Sequence, residues 1–251
     1  NLFYESRGTL TLRHGNGNLV ENNVFLGNRV DHTGGIRVIN KRQTIRNNYL
    51  YGLTGHRFGG ALVIMNGVPD SPINRYHQVE DSIVENNSII ASDHIELAAG
   101  SDAERSAPPA SSVFRNNLIH NEDGVDVIAV HDDISGISFS GNVLNQVDKL
   151  PSSTGFRSAE VALAAADNGL LYPVSEAFSN VGASRDIKVL KRSETGPSWY
   201  PKPGPDRRFD TGREFLIEPG EDALFQALQH AGAGDIIALA PGDYTLRKTL
   251  L

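Results

Sequence analysis

Apolar positions in the first part of the chain recur in short alternating runs, not in helical blocks. In Thr9-Leu10-Thr11-Leu12-Arg13, the leucines alternate with polar neighbours, the period of a strand with one buried face. Leu10 and Leu12 then point inward, and Arg13 ends the outer row before Gly15-Asn16-Gly17-Asn18 turns the chain. Similar runs return at residues 36–39, 61–65, 94–97 and 125–130. Between them lies a second pattern, Asn-x-apolar, at Asn1, Asn23, Asn48, Asn87, Asn117 and Asn142, spaced 22, 25, 39, 30 and 25 residues apart. Four of these asparagines follow another, at Asn22, Asn47, Asn86 and Asn116.

Coils of this length, with short strands and an asparagine at a fixed corner, predict an all-β chain folded as a right-handed parallel β-helix. Stacked coils pair every backbone group, and an inward asparagine can hydrogen-bond up and down the stack as a ladder. The two long spacings locate insertions at residues 66–78 and 100–112, rich in proline, glycine and polar residues, which predict loops on one face. After Val147 the asparagine pattern stops. Residues 148–195, with an alanine-rich stretch at 159–166, read as terminal coils or a cap with a short helix.

The stretch 196–205 carries four prolines and reads as a spacer. Beyond it, residues 221–231 place alanine and leucine at helical spacing, and 235–239 read as a buried strand before a Pro-Gly turn. The expected division is therefore a β-helix over 1–195, a linker over 196–214, and over 215–251 a capping helix with the first strands of a second β-helix. Both chain ends read as the middle of regular structure, which suggests a piece of a longer protein.

A length of 251 residues is ample for a core, and the absence of cysteine excludes disulfides and thiolate chemistry. A formal net charge of −7 argues against nucleic acid as a partner. No apolar run approaches the ~20 residues a membrane span needs. An anionic ligand would have to be held by a local basic patch, and the outer rows offer one. Arg13, Arg37 and Arg57 fall on consecutive coils, with Arg57 expected near the start of the third outer strand. In one sheet they would stand ~5 Å apart, a repulsive arrangement unless anions sit between them. The plainer alternative, ordinary surface arginines on different sheets, stays open at this point.

These residues also carry a resemblance. Arg13-His14-Gly15 after Thr9-Leu10-Thr11-Leu12, then Gly34-Gly35-Ile36-Arg37-Val38-Ile39 and Asn74-Arg75-Tyr76-His77-Gln78-Val79, resemble polysaccharide lyase family 6, which contains alginate lyases and chondroitinase B. The resemblance implies calcium-assisted β-elimination on alginate or a related uronate polymer, in a secreted or periplasmic bacterial-type protein. It implies that Arg13 is the acid at the leaving oxygen, and that His14, Arg37, Arg57, Arg75 and Tyr76 contact substrate. The family's lysine base and its Ca2+ ligands would precede residue 1, so no metal ligand is assigned here and the segment alone is expected to be inactive. A non-catalytic carbohydrate-binding β-helix and a β-helix hydrolase or epimerase remain alternatives. The acidic stretches 121–126 and His131-Asp132-Asp133 read as solvated turns.

Overall fold

Doubled asparagines build the corners of four coils. Asn22, Asn47, Asn86 and Asn116 adopt φ of 50–56°, the left-handed region that asparagine tolerates. Gly141 takes the equivalent place at φ 64°, where a Cβ would meet Asn116 Oδ1 at 2.2 Å. The turn aims the next asparagine inward. Asn1, Asn23, Asn48, Asn87 and Asn117 each donate from Nδ2 to Oδ1 of the next ladder member, ending at Asn142, over 2.8–3.0 Å. The amides of Asn23, Asn48, Asn87 and Asn117 use the same acceptors. A row of buried amides is thereby satisfied, which removes the cost of burying them.

The computed structural model describes residues 1–121, 127–145, 150–152, 154–191, 194, 199 and 212–247. The chain divides into Asn1–Leu190 and Lys191–Leu251. In the first unit three parallel sheets run along the stack. Sheet A holds Leu2–Tyr4, Val24–Leu26, Tyr49–Tyr51, Ser88–Ile90, Leu118–His120, Asn142–Asn145 and Phe156–Ala159. Sheet B holds Gly8–Leu12, Thr33–Val38, Leu62–Met65, Ile95–Ala99 and Ile128–Val130. Sheet C holds Leu19–Glu21, Thr44–Arg46, Ile83–Glu85, Ser112–Arg115 and Ile137–Ser140. Residues 125 and 126, expected to begin the last sheet B strand, lie outside the described residues, as do 122–124 of the acidic stretch.

One continuous core fills the coils. Sheet A supplies Phe25, Leu50, Ile89, Ile119 and Leu144; sheet B supplies Leu12, Ile36, Val38, Ile64 and Leu97; sheet C supplies Val20, Ile45, Val84 and Phe114. The three outer faces differ. Sheet A is covered by the chain after it, where Tyr172, Ala183 and Ile187 pack on Val24, Tyr49 and Ile90. That cover is a hairpin, Leu163–Ala165 against Leu171–Pro173, followed by a single 3-10 turn, Glu176–Phe178. The alanine-rich stretch is therefore extended, and the expected short helix reduces to that turn. Sheet C carries alternating charges outward, and sheet B carries the candidate site.

In the second unit, Glu214–Ile217 pairs in parallel with Ile236–Leu239, and Gly220–Glu221 with Tyr244–Thr245. The helix Ala223–His230 joins them, two residues shorter at its start than the spacing predicted. Most of the expected linker, and residues 248–251, lie outside the described residues.

Candidate active site

Arg37 owes its position to two glycines. A Cβ on Gly34 would meet Gly8 O at 2.4 Å, and one on Gly35 would meet Ala61 O at 2.0 Å. Only glycine lets Thr33–Val38 press between its neighbours, in the register Leu12–Val38 and Thr11–Arg37. Ile36 and Val38 enter the core, and Arg37 leaves the outer face. Arg13, one residue past Gly8–Leu12, is exposed, as is His14. Arg57 does not lie on a strand. It opens the 3-10 turn Arg57–Gly59 at φ 53° and is exposed, and the turn rests on the sheet B strands. Arg13 and Arg37 thus share sheet B's outer side, while Arg57 is placed only through its turn, which rests on the same strands.

The two insertions form a common wall. Gly67 and Ala107 exchange backbone hydrogen bonds of 2.8 and 2.9 Å, Gln78 Nε2 donates to Pro108 O at 2.6 Å, and Arg75 pairs with Glu104. Arg75 is therefore committed to a carboxylate of the neighbouring loop. Arg13 Nη2 donates to the Asn74 carbonyl at 2.9 Å, which ties the wall to the first coil.

Arg105, from the second insertion, is a site residue that the sequence did not disclose. Its guanidinium lies 5.6 Å from the Phe58 ring centre and 6.0 Å from that of Tyr76. Arg13 faces the same Tyr76 ring at 5.0 Å, and Arg37 faces Phe58 at 5.9 Å. The run is Arg13, Tyr76, Arg105, Phe58, Arg37: three cations separated by two rings. Cation–π attraction of ~0.5–1 kcal/mol per exposed contact offsets part of the repulsion between the guanidiniums. Asp102 pairs with Arg105, whose Nε also donates to Gly100 O at 2.6 Å. Arg13 and Arg37 have no carboxylate partner among the described residues, and Arg37 Nε is a buried donor without an acceptor there.

Ile39, Val63, Met65 and Ala99 form a buried apolar floor beneath Phe58 and Tyr76. Such a floor lowers the local dielectric beside the buried Nε of Arg37. Arg13, Val68, Arg75, Tyr76 and Arg105 enclose a cavity of about 150 Å³. A larger open cavity of about 1100 Å³ lies under the cover of sheet A and has none of these residues in its lining. Among the described residues no three His, Asp or Glu side chains are grouped to hold a metal ion. The calcium that the resemblance implies therefore has no such ligand cluster among the described residues. No described helix is long and apolar enough to cross a membrane.

Comparison with known proteins agrees with this architecture. The family model described as Chondroitinase B matches residues 1–188. The solved structure of the PL6 family alginate lyase AlyGC is 54% identical with a TM-score of 0.80, covering 99% of this chain and 34% of that one. A mannuronic acid specific family 6 lyase from human gut microbiota is 27% identical with a TM-score of 0.55, covering 64% of this chain and 38% of its own. A PL6 alginate lyase in complex with a trisaccharide, 23% identical with a TM-score of 0.57 over 75% of this chain and 44% of that one, shows the shared fold. No curated protein matches. The chain spans about a third of the length of AlyGC. With its family model matched over the whole asparagine-ladder solenoid, this chain belongs to the Chondroitinase B family of polysaccharide lyases, polysaccharide lyase family 6.

Proposed function

We propose that this chain supplies the leaving-group side and the carboxylate-binding side of a polysaccharide lyase acting on alginate or a related uronate polymer. The observation that carries this reading is the run of guanidiniums over an apolar floor, with Arg37 Nε buried and unpartnered. Planar guanidiniums match carboxylates bidentately, and a uronate polymer presents one carboxylate per sugar. The similarity to AlyGC supports the same class of substrate.

In β-elimination a base takes the C5 proton, its electron pair forms the C4–C5 double bond, and the C4–O4 bond breaks. The departing O4 gains negative charge and then a proton. A guanidinium such as that of Arg13 holds its protons tightly and is a poor proton donor. Its role is to stabilise the charge growing on O4, with His14 or water delivering the proton. Arg37 holds a carboxylate of the polymer, and Arg105, paired with Asp102, adds positive charge beside it. The base and any Ca2+ ligands come from residues other than those described. A secreted or periplasmic setting follows from the same reading, since the polymer lies outside cells.

The test is the ultraviolet absorbance of the unsaturated product when sodium alginate is incubated with the full-length protein that contains this chain. Accumulating absorbance is expected, and the 251-residue chain alone is expected to be silent. Alginate binding without any product from the full-length protein would identify a carbohydrate-binding module. Robust turnover by the chain alone would show that it holds its own base.

A further inference from the structure

Glu96 is a buried charge that the elimination chemistry does not use. It stands in Ile95–Ala99, where Ile95 and Leu97 enter the core. By register it shares an outward row with Thr11, Arg37, Val63 and Ala129. An outward residue of a solenoid is ordinarily wet, yet Glu96 is 5% exposed. Two imidazoles cover it: His131 Nε2 donates to Oε2, and His94 Nδ1 stands 3.8 Å from Oε1. Burying a carboxylate costs several kcal/mol before pairing, and Val63 and Ala129 fill the flanking rungs without that cost. Packing therefore gives no reason for a carboxylate at this rung.

His131 is held from several sides. Its amide donates to Leu97 O at 3.0 Å, continuing the parallel ladder. Asp132 beside it accepts from Asn66 Nδ2 and Ser101 Oγ, both at 2.7 Å, and Asp133 accepts from the Ser135 amide at 2.8 Å. The imidazole itself remains 44% exposed. A half-exposed imidazole fixed by a buried carboxylate has a set orientation, the arrangement by which proteins present a ring nitrogen to a ligand.

We propose that His131, aimed by Glu96, is a ligand-contacting residue of the sheet B groove, with Glu96 as its positioning residue. It reads a hydroxyl or carboxylate of an anionic polysaccharide beyond the sugar gripped by Arg37, from which the Glu96 rung is two rungs, or ~10 Å, away. The inference rests on the uronate reading above. With Nε2 committed to Glu96, Nδ1 is the nitrogen left for the sugar. His131-Asp132-Asp133 is then a ligand-facing corner, not a solvated turn.

The test is calorimetric titration of the protein with saturated uronate oligomers of increasing length. His131→Gln and Glu96→Gln should leave the shortest oligomers that bind unaffected and weaken longer ones about tenfold, the loss of one hydrogen bond to a charged group. Arg37→Ala should weaken every length. His131 is half exposed, so His131→Gln carries the test if Glu96→Gln lowers the melting temperature. Equal losses at all lengths, or none at any length, overturn the assignment. If the unaltered protein binds no uronate oligomer, the polysaccharide reading itself fails, and the assignment with it.

Discussion

Two outer sides of this solenoid carry charge, and they handle it in opposite ways. On sheet C the register aligns Glu21, Arg46, Glu85 and Arg115. The signs alternate, and Arg46 pairs with Glu21 at 2.8 Å and Arg115 with Glu85 at 2.7 Å. On the sheet B side Arg13 and Arg37 have no such partners, and rings separate them from each other and from Arg105. A row that only closes the fold neutralises itself. A group of cations left unpaired over an apolar floor holds interaction energy that an anionic ligand can release.

The largest effect that separates the two sides is on catalysis. Arg13→Ala in the full-length protein should lower kcat at least ~100-fold, the cost of one donor aimed at transition-state charge. Arg115→Ala should leave kcat unchanged, and steady-state ultraviolet assays on the two variants compare them directly. Next in size is binding. Arg37→Ala should raise KM about tenfold or more with a smaller change in kcat, because it holds a carboxylate in ground and transition states alike. Arg46→Ala is its counterpart on sheet C and should move neither parameter.

A third change makes sheet C resemble sheet B. Glu85→Arg aligns three arginines without rings between them. It should cost about 1 kcal/mol or less in denaturant titrations, and added salt should recover most of the loss. The smallest effect is a pH response. The Ser101 hydroxyl, the Asp133 amide and the Asn66 amide hold the Asp132 carboxyl below its ordinary value. Its folded pKa is depressed, so its stabilisation is present above the ordinary carboxylate value and is lost as pH falls through the folded one. Melting curves below about pH 4 should therefore flatten in Asp132→Asn, and no change in that acid limb would remove Asp132 from the account of the corner.

The sheet A corner was legible because each rung demands the same amide chemistry: Asn23, Asn48, Asn87 and Asn117 all donate and accept along the stack. Arg13 and Arg37 were legible because strict alternation fixes their phase. Sheet C was harder to see. Its strands turn only single residues such as Val20, Ile45 and Val84 inward, too few for a period, although apolar-charged-Asn-Asn repeats in the sequence. Arg105 was hidden because its neighbours Phe58 and Tyr76 come from other coils. The pairing of Glu96 with His131, 35 residues apart, is likewise a product of stacking. Alanine's helical propensity failed at 159–166 because a hairpin covering sheet A pairs that backbone as strand.

The most direct measurement is calorimetric binding of a uronate oligomer to the chain and to two variants, with a neutral oligosaccharide of equal length as control. The unaltered chain should bind the uronate and not the control, with affinity falling as salt rises. Arg37→Ala should lose about tenfold or more in affinity, and Arg115→Ala should lose nothing. Equal affinity in Arg37→Ala and the unaltered chain, or equal binding of the neutral control, would contradict a group of cations built to hold carboxylates.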